Sequence, residues 1–152
     1  MKLSVLALGV LLLAAPAWAE DVVRARAFVL EDQQGAMRGA LMATPEGSQL
    51  LLYDDKNSLR IQMDITENVP QIVFFDENGA RRITVSVNPA GPGIAFCDAH
   101  ETPVVMLCVL EGDSGLIIMD ASGVPRVMLH LTDRGPVLAL YEERGIRIEG
   151  MP

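Results

Sequence analysis

A 22-residue repeat without insertions constrains this chain more than any other feature. At that step Phe28-Val29-Leu30-Glu31-Asp32, Leu50-Leu51-Leu52-Tyr53-Asp54 and Ile72-Val73-Phe74-Phe75-Asp76 superimpose. So do Ile94-Ala95-Phe96-Cys97-Asp98, Leu116-Ile117-Ile118-Met119-Asp120 and Leu138-Ala139-Leu140-Tyr141-Glu142. A unit this short cannot bury an apolar face alone and must stack on its neighbours. The six units nearly exhaust residues 20–152, which read as a single domain.

Each unit predicts strand, tight turn, strand, loop. After the apolar run come turns such as Asp76-Glu77-Asn78-Gly79, where the aspartate can cap the turn and glycine takes positive φ. The returning strand then alternates: Ile61, Met63 and Ile65 point one way, and Arg60, Gln62 and Asp64 the other. That period of two excludes helix. Loops such as Pro45-Glu46-Gly47 and Pro89-Ala90-Gly91 close the units, and the expectation is that no proline after residue 20 falls inside a strand.

The predicted fold class is all-β, six tandem antiparallel hairpins. Twelve strands in one open layer would be ~58 Å wide with one face of Leu, Ile, Val and Phe in water. Such a sheet must roll, fold over itself or pair with another copy. A second period of 44 residues is visible in Gly35, Gly79 and Gly123, in Arg38, Arg82 and Arg126, and in Gly47, Gly91 and Gly135. On hairpin number, chain length and that period the chain resembles a β-trefoil. The resemblance implies that odd and even hairpins occupy different places around a pseudo-threefold axis; the alternative is a rolled or barrel-like hairpin meander. The Asp-x-x-Gly hairpins also resemble tandem repeats of uncharacterised exported bacterial proteins and, loosely, MORN-type hairpin repeats.

Residues 1–19 carry one cation at Lys2, an apolar run from Leu3 to Ala15, and Ala17-Trp18-Ala19, the small-x-small pattern of a cleaved signal peptide. A spanning helix needs ~20 apolar residues, more than this run supplies before Glu20 and Asp21. The expectation is export, to periplasm or exterior, with no membrane span in the mature chain. Acidic residues number 20 against 12 basic ones, which are scattered, so nucleic acid is excluded as a partner.

Two cysteines, Cys97 and Cys108, would enter an oxidising compartment. Both fall in one hairpin, ~20 Å apart at ~3.3 Å per residue, too far for a bridge. Two free thiols are expected. Gly112-Asp113-Ser114-Gly115 copies the nucleophile segment of trypsin-like proteases, but the only histidines, His100 and His130, are misplaced for a triad. The stretch reads as a loop, and a serine hydrolase using Ser114 is the weakest alternative. The recurring aspartates lack the alternating acidic ligands of a calcium loop and read as turn caps.

No catalytic residue or cofactor is therefore expected, and the leading function is a non-enzymatic binding or structural repeat module. The fourth unit departs most, with His100-Glu101-Thr102-Pro103 at its turn. Placing Ile94, Phe96, Val105, Leu107 and Val109 inward sends Cys97, Met106 and Cys108 outward, joined by Ile117, Met119, Met128 and His130. Cys97, Met106, Cys108, Met119, Met128 and His130 form a candidate cuprous-copper set, because thioether, thiolate and imidazole are soft ligands. The competing expectation is an outward interface of Met106, Cys108, Ile117, Met119 and Met128, covered by a partner protein or a second copy.

Overall fold

The computed structural model describes residues 24–110, 113–132, 135–142 and 147–150. The expected signal segment, residues 1–19, lies outside them. The chain is a succession of antiparallel strands: β1 (Ala27–Glu31), β2 (Met37–Thr44), β3 (Gly47–Tyr53), β4 (Leu59–Thr66), β5 (Val69–Phe75) and β6 (Arg81–Asn88). The second half repeats the pattern with β7 (Gly91–Cys97), β8 (Pro103–Leu110), β9 (Asp113–Met119), β10 (Pro125–Thr132), β11 (Gly135–Tyr141) and β12 (Arg147–Gly150). They form one sheet in sequence order, with β1 and β12 at its two edges. All-β hairpins at a constant step are thus what the sequence predicts.

The trefoil-like arrangement is not what this sheet displays. Among the described residues, contacts between elements join only strands adjacent in sequence, and none links alternate hairpins. The described strands form a hairpin meander, as in the alternative, but the sheet is open and neither rolled up nor closed into a barrel. The cause is the equal length of every connection: each strand plus turn occupies 11 residues, so Val29, Ala40, Leu51, Gln62 and Val73 are direct cross-strand partners in turn. Nothing in such a ladder singles out alternate hairpins.

The 44-residue period survives at one end of the sheet only. At the aspartate turns, Gly35, Gly79 and Gly123 have φ of 81°, 81° and 78°, and Asn57 and Glu101 adopt the same left-handed conformation at 63° and 62°. Glycine or not, the turn is one turn. At the opposite end, Glu67 and Asn68 both have positive φ (51° and 66°), a primed turn suited to the strand twist. Pro45 and Pro89 occupy the first position of the neighbouring connections; a ring that fixes φ near −65° excludes a primed turn. The following Gly47 and Gly91 absorb the misfit at φ of 153° and 134°.

Prolines also enter the strands, contrary to the sequence expectation. Pro70, Pro92 and Pro136 are second residues of β5, β7 and β11, and Pro103 and Pro125 open β8 and β10. Pro70 and Pro92 are tolerated because the ladder to the next strand starts after them, at Gln71↔Ser86 and Gly93↔Cys108. Where serine takes that place the ladder reaches it, as in Ser48↔Ile65 and Ser114↔Leu131. A missing N–H costs little where no partner carbonyl awaits it.

Candidate functional site

Because the sheet is a single layer, its two faces are the extended surfaces of the described residues that could hold a site. One face is aliphatic. A straight cross-strand row on it runs Phe28, Leu41, Leu50, Met63, Ile72, Val85, and continues through Ile94, Leu107, Leu116, Leu129 and Leu138. A second row two residues along is Leu30, Gly39, Leu52, Ile61, Phe74 and Ile83, then Phe96, Val105, Ile118, Val127 and Leu140. Neither row contains a charged side chain. Near the end of the sheet bearing the primed turn, this face sinks into a depression of about 410 Å³ lined by Leu41, Leu50, Met63, Ile65, Ile72 and Val87 among others.

The other face is mixed. Its central row is Val29, Ala40, Leu51, Gln62, Val73 and Thr84, then Ala95, Met106, Ile117, Met128 and Ala139. Burial reverses the sequence expectation. The buried residues Ala40, Asp64, Val73, Cys97, Cys108 and Ala139 all lie on the mixed face. The large hydrophobics left exposed, Val29 and Val124 apart, all project from the aliphatic face, and they include Phe96, Leu107 and Val109, which were expected inward.

Hydrogen-bonded side chains explain why the mixed face is covered. Asp76 Oδ1 accepts from the backbone N–H of Asn78 (2.9 Å) and Ala80 (3.1 Å), and the same cap recurs at Asp32, Asp54, Asp98 and Asp120. The second carboxylate oxygen pairs with an arginine six residues on: Asp32 with Arg38, Asp54 with Arg60, Asp76 with Arg82, Asp120 with Arg126. Three of these arginines also donate to a carbonyl of the following hairpin, Arg38 to Asp54, Arg60 to Phe75 (3.0 Å) and Arg82 to Cys97 (3.0 Å). Each is a clamp from one hairpin to the next. The sequence signal was present, an Asp/Arg pair at i, i+6 in four units, but it was read as part of the 44-residue period.

These contacts hold the aspartates below their ordinary pKa. For Asp32 and Asp54 the leading causes are the N–H groups of Ala36 and Ser58, which outweigh partial burial, helped by Arg38 and Arg60. For Asp76 burial is the largest influence and opposes the shift, yet Arg82 and the N–H groups of Asn78 and Ala80 prevail. For Asp98 the N–H of Thr102 leads, again against burial, and for Asp120 the Ser122 hydroxyl leads, ahead of the Val124 N–H. Asp64, 3% exposed, is a separate knot: its carboxylate accepts from the side-chain amides of Gln62 and Gln71 (3.0 Å for the latter) and from the Thr66 hydroxyl (3.3 Å).

The candidate copper and interface residues do share one face, but it is the covered one. Met106, Ile117 and Met128 are successive rungs of a row, while Cys108 and His130 are separated by Gly115. Two strand spacings separate the backbones of those two by about 9.6 Å. No cluster of three His, Cys, Asp or Glu side chains able to hold a metal occurs among the described residues. Both thiols are free and buried, as the spacing required of free thiols, and burial pushes the Cys97 thiol up although Arg81 opposes it. A protonated thiol is a poor ligand. Of the interface candidates, Cys108 is buried and Met106, Ile117, Met119 and Met128 are only half-exposed, so no open patch exists there.

Ser114 lies in β9 rather than in a loop, on the aliphatic face opposite Val109 and Leu131. His130 is on the other face. The hydroxyl and the imidazole therefore cannot meet through the sheet. No family model and no curated protein matches this chain.

Proposed function

We propose that this chain is an exported, non-enzymatic binding or structural module whose working surface is the aliphatic face of the sheet. One observation carries the reading: two charge-free rows of Leu, Ile, Val, Met and Phe cross the described strands, and no second layer of the described chain covers them. Apolar patches beyond a few hundred Å² mark surfaces that a partner covers. The sequence placed the interface on the outer side of the fourth and fifth hairpins; the exposure of Leu107, Val109, Leu129 and Leu131 supports the opposite face instead.

Export rests on the signal pattern of residues 1–19, and mass spectrometry of the secreted product should find Glu20 at its N-terminus. The working surface is tested in a gentle extract of the exporting cells. The chain should migrate in a particle larger than a single copy, and Leu107→Lys should return it to single-copy size. Single-copy migration of the unmodified protein, with its aliphatic face protected from labelling, would mean instead that the sheet closes on itself.

A further inference from the structure

We infer that the layer missing over the aliphatic face is a second copy of this chain, stacked face to face about a two-fold axis. This rests on the reading of that face as the working surface and names its occupant. The area is sufficient: twelve strands at ~4.8 Å spacing, ~25 Å long except for the shorter β1 and β12, present ~1,300 Å², against the ~800 Å² per partner of a standard stable interface.

The shape is self-complementary. The depression between Leu41 and Val87 lies among β2 to β6, whereas Leu129 (49% exposed) and Leu131 (56%) stand up from β10. A two-fold axis near the middle of the sheet seats each copy's β10 leucines in the other's depression, as an isologous contact requires. The constant cross-strand step gives both copies the same side-chain spacing, so the rows can interdigitate at the ~10 Å separation of stacked sheets. Charge agrees: neither aliphatic row carries a charged side chain, leaving those rows free of repulsion between copies.

A bilayer spanned by the strands is the less suitable setting. Strands of 7–8 residues tilted at 45° cover ~17 Å, short of the ~25 Å apolar band for which spanning strands use 9–11 residues.

Sedimentation of the purified exported chain decides the matter. The expected result is a two-copy mass. Ile65→Lys in the depression and Leu131→Lys on the ridge should each weaken self-association about 30-fold or more, as removal of a central anchor does. Lys56→Glu, in an exposed turn, should leave it unchanged. Circular dichroism showing intact strand in either lysine variant keeps the comparison valid if the other fails to fold. A single-copy mass for the unmodified chain at about 100 µM overturns the inference, whether or not the chain binds phosphatidylcholine vesicles. If the particle in the cell extract persists while the purified chain is monomeric, a different protein covers the face and only the identity of the occupant fails. If both are monomeric, the working-surface reading fails too.

Discussion

The two faces of this sheet have opposite chemistry and, against intuition, opposite burial. On the mixed face Arg, Gln and Asp side chains are tied to their neighbours by hydrogen bonds, and Ala40, Val73 and Ala139 on that face are buried. On the aliphatic face Leu, Ile and Val are branched and short, stand nearly perpendicular to the sheet, and cannot roof one another. In a single layer, coverage comes from side-chain length and available partners rather than from hydropathy. The aliphatic face is consequently the unfinished half of a core.

That contrast breaks most sharply at two adjacent residues. Val73 is 5% exposed on the mixed face and Phe74 37% exposed on the aliphatic face. Val73→Asp should cost about 3 kcal/mol or more, because it buries a charge whose cross-strand neighbours, Gln62 and Thr84, offer no balancing cation. Phe74→Asp should cost less than about 1 kcal/mol in the isolated chain and act mainly on self-association. Urea unfolding at one fixed concentration measures both. Equal costs would mean that the aliphatic face is covered within a single chain.

The next effect belongs to the buried carboxylate. Asp64→Ala strands the amides of Gln62 and Gln71 in a covered site, and about 1–3 kcal/mol should be lost. Asp64→Asn keeps an acceptor oxygen and should recover much of that. If Ala and Asn prove indistinguishable in the same unfolding assay, the knot contributes nothing to the cover.

The alternation of Ile61, Met63 and Ile65 with Arg60, Gln62 and Asp64 made the faces and the strands legible, because a period of two has one structural reading. It did not say which face is inward. That depends on whether a second layer exists, and nothing in a strand's own pattern reports a layer. The 22-residue step likewise fixed the register, but odd and even copies misled: Asn57 and Glu101 adopt the left-handed conformation that Gly35, Gly79 and Gly123 adopt freely, so different letters make one turn. Glu101 is helped to do so by Arg81, whose backbone N–H (3.1 Å) and guanidinium (3.4 Å) both reach its carboxylate. The soft residues Met106, Cys108 and His130 share one face, with Gly115 between Cys108 and His130.

Acid should erode the mixed face before the aliphatic one. The five turn aspartates have folded pKa values below the ordinary 3.8, so their contribution is fully present above that value and is lost as pH falls through the lower folded values. The urea midpoint should be nearly flat down to about pH 5 and then decline. Asp76→Asn combined with Asp120→Asn should shallow that decline. An acid limb unchanged in the double variant would assign it to other carboxylates.

The smallest effect tests the clamps by completing one. Asp32, Asp54 and Asp76 each have an arginine six residues on that continues to the next hairpin, but Asp98 has Val104 there, and nothing on this edge ties the fourth hairpin to the fifth in that way. Val105 is opposite Ile118, so position 104 faces Met119 just as Arg60 faces Phe75 and Arg82 faces Cys97. Val104→Arg should therefore reach both the free Asp98 oxygen and the Met119 carbonyl. The pair is partly exposed, so the gain should be about 0.5 kcal/mol, visible as a small rise in urea midpoint. Moderate salt should reduce it. The decisive arm is Asp98→Asn: in that background the added arginine should give no more than the carbonyl bond alone. If the full gain survives there, the arginine acts through its aliphatic stem, and the Asp–Arg pair is not what joins hairpin to hairpin.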